Sequence, residues 1–181
     1  GAQQSVVNMD RITKYPDAPA TKLFGENTTL GILAHETGHR WLTRMMFVNH
    51  NREVSDLLLG RQRAHWSFFA DTDGSVMEGN EITDLGGGAF PTASTTRKYS
   101  RLDLYAMGLA TAAEVPGWFY VDAPIAPRER EDSPLVGLAF NGTRRDVLIQ
   151  DVIDALGPRV PAAADSPREH RQAFVFVRRP N

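Results

Sequence analysis

The sequence contains one short run whose residue types and spacing suit metal chemistry: His35-Glu36-Thr37-Gly38-His39. Two imidazoles four residues apart on a helix lie on nearly the same face, about one turn apart, so both can bind one cation. Glu36 lies on the adjoining flank of such a helix, where its carboxylate can hold a water that is bound to the metal. The run therefore predicts a metal site with His35 and His39 as ligands and Glu36 as a base.

This run lies in a segment that we predict to be one helix, from about residue 28 to residue 47. Asn27 or Thr28 can cap its start. Gly38 is unfavourable inside a helix by about 1 kcal/mol relative to Ala, which indicates either close approach of another backbone or a tolerated defect. Because apolar residues form a stripe on one side and also flank the two histidines, the helix is expected to be buried. The stripe consists of Leu30, Leu33, Ala34, Thr37, Trp41 and Met45.

The stretch Leu33-Ala34-His35-Glu36-Thr37-Gly38-His39-Arg40-Trp41-Leu42 resembles the active-site helix of the zincin metallopeptidases. The resemblance covers mainly this helix. It implies that His35 and His39 bind Zn²⁺, that Glu36 is the catalytic base, and that the substrate is a protein or peptide. It also implies secretion or a periplasmic location, as for many enzymes of this kind.

Beyond this helix the chain departs from both main zincin patterns. The metzincin continuation would place Gly at position 42 and His at position 45, where the chain has Leu42 and Met45. The thermolysin-like continuation has an Asn-Glu pair followed by Ser-Asp. Residues 51–56 approach that pattern, but Arg52 is inserted and the spacing is short. The subgroup therefore stays open, and with it the third metal ligand.

Catalytic zinc takes three protein ligands and leaves a fourth position for water. We predict that the third ligand is His65, which lies between residues 57–60 and a predicted hairpin and can fold back over the helix. The alternative is that His65 only packs beside Trp66. His50 lies just past the helix, and His170 lies in a charged stretch typical of a surface. Other candidate ligands are Glu53, Asp71, Asp73 and Glu78.

Residues 102–109 form the second segment of interest. Zincins of the metzincin type place a methionine turn beneath the zinc, and the resemblance makes Met107 the first candidate and Met77 the second. The alternative is an amphipathic helix that only fills the core. The resemblance also requires a donor for the oxyanion, for which Tyr105 is the first candidate and Tyr99 the second.

Composition indicates a globular protein. With 181 residues, 41% hydrophobic and 23% charged, the chain is expected to form a single domain, 1–181. A net charge of −2 gives no reason to expect nucleic acid as a partner. The absence of cysteine excludes disulfides and thiolate metal sites. No stretch approaches the length of a membrane span, and the opening residues look trimmed, so we expect a piece of a longer secreted precursor.

The rest of the sequence predicts short strands and further helices. Strands are predicted at 5–9, 66–69, 75–77, 81–83, 89–92 and 117–121. Helices are predicted at 54–59, at 101–109 after a Ser100 cap, at 149–156 and from 166. Residues 173–177 are expected to close the chain as a strand or a helix end.

Together these patterns and the resemblance predict an α+β, zincin-like fold, in which a central active-site helix packs on a small, mostly antiparallel sheet with additional helices. The expected reaction is zinc-dependent cleavage of peptide bonds, more as an endopeptidase than as an exopeptidase. An extended substrate would add to a sheet edge, for which residues 6–9 are a candidate. About 27 residues precede the helix, whereas zincins commonly place most of their sheet before it. Either the downstream hairpins supply the sheet or an N-terminal half is missing.

Two other functions stay open at this stage. The chain could be a non-catalytic module that keeps a zincin-like core for binding or structure within a larger secreted protein. Glu36 argues against this, because a structural zinc site needs the histidines but not the base. The chain could also be a metal-dependent hydrolase of amides other than peptides, which the run alone does not distinguish.

Overall fold

The computed structural model describes residues 5–178, which combine three α-helices with small antiparallel sheets. This agrees with the predicted α+β class. The helices are α1 (Thr29–Gly38), α2 (Arg101–Met107) and α3 (Ile149–Leu156). The strands are β1 (Lys22–Phe24), β2 (Asn27–Thr28), β3 (Phe47–Val48), β4 (Val54–Ser55), β5 (Asn80–Ile82), β6 (Ala89–Thr95), β7 (Trp118–Ile125) and β8 (Ala139–Val147). Within residues 5–178, none of the helices combines the length and apolar character needed to cross a membrane.

The largest sheet has four strands in the order β5-β6-β8-β7, and all neighbouring strands run antiparallel. Its longest pairing joins β7 to β8, from Trp118 opposite Val147 to Ile125 opposite Asn141, with a register shift between Asp122 and Ile125. β1 pairs with β2, and β3 pairs with β4, as two separate hairpins. Since every strand of the four-stranded sheet follows α1 in sequence, the downstream part of the chain supplies this sheet.

Two clusters of buried side chains form the core, and β7 contributes to both. Alternate residues of a strand point to opposite faces, so Trp118 and Tyr120 join the first core cluster while Phe119 and Val121 join the second. The first core cluster also contains Leu42, Met45, Phe47, Leu58, Trp66, Met77, Leu102, Tyr105, Val147 and Val152. The second also contains Phe68, Phe69, Ile82, Phe90 and Phe140. β7 is therefore buried on both faces, and the first core cluster reaches the helix that carries the histidine run.

Helix α1 begins as predicted but is much shorter than the segment 28–47. The hydroxyl of Thr28 accepts a hydrogen bond from the Gly31 N–H and caps the start. The helix ends at Gly38, and the chain then extends into the β3–β4 hairpin. Asn49 closes that hairpin, because its side-chain oxygen accepts hydrogen bonds from the backbone N–H groups of Asn51 and Glu53. The predicted continuation to residue 47 was wrong, because Phe47 and Val48 pair with Ser55 and Val54 as strands of this hairpin.

Other predicted elements were also wrong. Residues 5–9 form no strand, and residues 54–59 form β4 and a turn in place of a helix. Residues 66–69 and 75–77 do not form a hairpin: one hydrogen bond joins them, from the Trp66 N–H to the Met77 carbonyl, while the Ser67 N–H donates to the Leu58 carbonyl and the Val76 N–H to the Lys98 carbonyl. Residues 166–178 contain no helix or strand. The apolar residues in these segments are either buried by contacts with distant parts of the chain or exposed. They do not follow the period of a helix or a strand.

The helices α2 and α3 were predicted correctly. α2 begins at a capping box in which the Ser100 side chain accepts from the Asp103 N–H and the Asp103 carboxylate accepts from the Ser100 N–H. α3 spans Ile149–Leu156, the predicted range. β8 was missed, because one face of it is exposed and the sequence 141–146 is almost entirely polar.

Gly38 and Gly31 lie in the same helix but in different surroundings. A Cβ at Gly38 would lie 2.6 Å from the Met77 sulfur and 3.2 Å from a ring carbon of Tyr99, whereas a Cβ at Gly31 would meet nothing closer than 3.5 Å. We predict that Gly38→Ala lowers the free energy of unfolding by about 1–3 kcal/mol through overpacking. Gly31→Ala, the matched control, should raise it by about 0.5–1 kcal/mol. Urea unfolding measures both, and equal stabilisation by the two changes would contradict the packing account.

Candidate metal centre

The imidazoles of His35, His39 and His65 come together in one three-histidine cluster. The Nε2 atoms of His35 and His39 are 3.1 Å apart, and those of His35 and His65 are 3.3 Å apart. One ligand nitrogen from each of the three residues lies within 4.8 Å of the other two. Two imidazole nitrogens on tetrahedral zinc, each at about 2.0–2.1 Å from the metal, are about 3.3 Å apart. The cluster can therefore hold a metal ion without large rearrangement.

The other ring nitrogen of each histidine is held by a backbone carbonyl. Nδ1 lies 2.9 Å from the Val76 oxygen in His35, 2.8 Å from the Arg61 oxygen in His65, and 3.4 Å from the Leu42 oxygen in His39. A carbonyl only accepts hydrogen bonds, so Nδ1 carries the proton and Nε2 keeps its lone pair. Three lone pairs that converge at these distances can be shared by one cation, which is the chemistry of a metal site.

His35 and His39 keep their four-residue spacing even though α1 ends between them. His39 is the C-cap residue, and its backbone, with φ −57° and ψ −14°, is still helical. Its N–H donates to the His35 carbonyl at 3.3 Å, which completes the last turn. A single helical turn is enough to place two imidazoles on one cation, so the early end of the helix does not disturb this pair.

His65 comes from a tight loop and is almost fully buried, with 2% of its surface exposed. The Gly60 N–H donates to the His65 carbonyl at 2.9 Å and closes the loop. A Cβ at residue 60 would lie 2.5 Å from the Trp66 carbonyl oxygen and 2.7 Å from that of Arg130. Because both obstacles are backbone atoms, only glycine at position 60 lets the loop close and aim His65 at the cluster.

Asp103, at the start of α2, joins the two segments that support the cluster. Its carboxylate accepts from the Trp66 indole at 2.9 Å and from the Ser75 hydroxyl at 2.6 Å. Trp66 follows His65, and Ser75 precedes Val76, whose carbonyl holds His35. Burial raises the pKa of Asp103, while hydrogen bonds from Ser75, Ser100 and Trp66 oppose that rise. One buried carboxylate thus fixes the segments beside two of the three histidines.

Met77, and not Met107, is the methionine that lies against the helix of the cluster. Its sulfur occupies the space that a Cβ of Gly38 would need, and Met77 is fully buried. The lack of a side chain at Gly38 therefore makes room for the side chain of Met77, whereas the sequence suggested the close approach of another backbone. Met107 packs against the first core cluster from α2.

The two tyrosines predicted as oxyanion donors are engaged elsewhere. The Tyr105 hydroxyl accepts a hydrogen bond from the Arg159 N–H at 3.2 Å. The Tyr99 hydroxyl donates to the Ala34 carbonyl in α1, and burial together with the charge of Asp103 raises the pKa of Tyr99 to about 12. Tyr99 thus braces the helix from the side.

The alternative ligands also lie outside the cluster. Glu53 is exposed in the β3–β4 hairpin. Asp71 accepts from the Ile82 N–H, and Asp73 pairs with Arg97 and Lys98 on the surface. The two remaining histidines are exposed, as predicted for His170: His50 lies at the hairpin turn and His170 lies against the ring of Trp41.

The surroundings of His39 and His65 favour the neutral form of imidazole, which is the form that binds metal. Burial lowers the pKa of His39, and the neighbouring His35 lowers it further, while the charge of Glu36 opposes the shift. Burial likewise lowers the pKa of His65. Glu36 itself is exposed on α1. The negative charge of Glu36 acts to raise the pKa of both His39 and Arg61.

Arg61 and Glu78 border the cluster, and sequence reasoning missed the first of them. The guanidinium Nη2 of Arg61 lies 3.2 Å from Nε2 of His65, and its Nε donates to Glu78 at 3.0 Å. A second hydrogen bond joins Nη2 to the other oxygen of Glu78. Arg61 stands among other charged and polar residues in the run 61–63, so no pattern marked it. Only its position four residues before His65 connects it to the site.

Comparison with protein-family models, with curated proteins and with solved structures finds no match to this chain. The class of this protein therefore has to be inferred from the geometry of its own residues. On that geometry, His35, His39 and His65 form a cluster that can hold a metal ion.

We predict that His65→Ala weakens zinc binding by about 100-fold or more, because it removes one of three ligands. His50→Ala removes an exposed histidine outside the cluster and should leave the affinity unchanged. Competition with a chromophoric chelator measures both affinities, and thermal unfolding of the metal-free proteins checks that the fold survives. Equal zinc affinity of His65→Ala and the parent protein would exclude His65 as a ligand.

Proposed function

We propose that this chain is a zinc-dependent hydrolase of the zincin type that cleaves peptide bonds in proteins or peptides. The observation that carries the proposal is the convergence of three Nε2 lone pairs next to a helix that also presents a free carboxylate. Each Nδ1 is hydrogen-bonded to a backbone carbonyl, so the fold itself orients the three rings for binding a cation. A purely structural site would need the three imidazoles but not Glu36.

The donor set favours zinc. Imidazole nitrogen suits zinc and other late first-row divalent ions, whereas oxygen-rich sites suit Mg²⁺ and Ca²⁺. Three protein ligands with one open position are typical of catalytic zinc. When bound, zinc supplies a Lewis acid that lowers the pKa of a coordinated water from about 15.7 toward about 7.

The general base in this proposal is Glu36, which is exposed on α1 and follows His35 in the sequence. Its carboxylate takes a proton from the attacking water while the water oxygen forms a bond to the peptide carbonyl carbon. The same carboxylate then gives the proton to the leaving nitrogen as the C–N bond breaks. The lowered pKa values of His39 and His65 favour the neutral imidazoles that this reaction needs.

The decisive variant is Glu36→Gln, which keeps the size of the side chain but removes the base. We predict that zinc affinity stays within a few-fold of the parent and that cleavage of denatured casein falls by about 10²–10⁴-fold. Glu53→Gln, at an exposed glutamate outside the site, should cleave as the parent does. A chelator should stop the parent enzyme, and added zinc should restore it.

Two outcomes would count against this function. Cleavage that survives Glu36→Gln would show that Glu36 is not the base. Stoichiometric zinc in the parent protein without cleavage of casein or a mixed peptide library would favour a non-catalytic binding module.

A further inference from the structure

The proposed reaction needs a donor for the oxygen that becomes negative when the carbonyl is attacked. The O–H of Tyr99 already donates to the Ala34 carbonyl, and Tyr105 is buried in the first core cluster. The cationic side chain that borders the three-histidine cluster is Arg61. The guanidinium of Arg61 lies near Nε2 of His65, the nitrogen that can bind a metal. It can therefore take part in chemistry at the cluster.

Arg61 contacts both nitrogens of the same imidazole ring with different atoms. Its backbone carbonyl accepts from Nδ1 of His65 at 2.8 Å, which leaves Nε2 with a lone pair. Its guanidinium Nη2 lies 3.2 Å from that lone pair. The N–H of Arg61 therefore points at the nitrogen that faces the cluster, so the guanidinium lies where a ligand on the cluster would meet it.

Glu78 holds this guanidinium in place through two hydrogen bonds, one to Nε and one to Nη2. The Glu78 side chain is 15% exposed and that of Arg61 is 41% exposed. A two-point contact of this kind fixes the plane of the guanidinium. Nη1 makes no hydrogen bond to the described residues 5–178 and is left for a ligand.

Glu78 also balances the charge of Arg61 beside a cation site. Its carboxylate accepts hydrogen bonds from both Nε and Nη2 of the guanidinium, so Arg61 does not leave the cluster with an uncompensated positive charge.

We propose that Arg61 binds the anionic oxygen of a ligand at the three-histidine cluster, and that Glu78 positions it. In the proposed function, on which this inference rests, that oxygen is the one that gains charge on the substrate carbonyl. Preorganised donors aimed at developing charge contribute strongly to catalysis, and removing one costs about 10²–10³-fold in kcat. Because its N–H also occupies the lone pair of His65, Arg61 gives up one hydrogen bond when a metal binds there.

The test uses the full chain loaded with Co²⁺, whose visible spectrum reports ligands at the metal without any need for turnover. The probe is a dipeptide phosphinate, whose tetrahedral P–O⁻ imitates the charged oxygen. We expect Arg61→Gln to weaken phosphinate binding by about 100-fold while Co²⁺ affinity stays equal or rises. Glu78→Gln should weaken phosphinate binding less, and Arg61→Lys should retain part of it.

The matched control is Arg63→Gln in the same loop, since the Arg63 side chain is 70% exposed and pairs with Asp56 away from the cluster. It should bind the probe as the parent does. Equal phosphinate affinity of Arg61→Gln and the parent would overturn the proposal, and so would failure of the parent to bind the probe. Loss of Co²⁺ affinity in Arg61→Gln would also overturn it, because Arg61 would then only support His65. These binding measurements do not depend on peptide cleavage. The proposal for Arg61 and the proposed peptidase function can therefore each be contradicted without the other.

Discussion

The candidate site depends on where three backbone carbonyls lie. Each accepts the Nδ1 proton of one histidine, so each ring turns its Nε2 lone pair inward. The carbonyls belong to Val76, Arg61 and Leu42, which come from three separate parts of the chain. Without them the imidazoles could rotate or change tautomer, and the cluster would lose its common centre. The fold has to position these three carbonyls as accurately as it positions the histidines.

The fold delivers them through buried contacts around α1 and α2. Asp103 joins the segment of His65 to that of Val76, and Tyr99 fastens α1 from the opposite side. Met77 fills the space that Gly38 leaves, so the helix approaches the core closely at the point where its second histidine projects. Most of these supporting atoms are buried, and buried polar networks of this kind fix a single arrangement when every member is satisfied.

Sequence reasoning was most successful where local chemistry decides the structure. The four-residue spacing of His35 and His39 and the caps of α1 and α2 depend on neighbours within one or two turns, and all were predicted. The end of α1 and the loop of residues 60–80 were not, because backbone pairs distant in sequence determine them. Arg61 was missed because it stands among other charged and polar residues, and Glu78, which holds its guanidinium, lies 17 residues later in the sequence.

The central claim is that three Nε2 atoms share one cation. Anomalous scattering at the zinc edge, from crystals of the zinc-loaded protein, tests it most directly. The account predicts one strong peak bound by His35, His39 and His65 through Nε2, at about 2.0–2.1 Å from each. Zinc bound by other side chains, or a cluster that stays empty at saturating zinc, would contradict it.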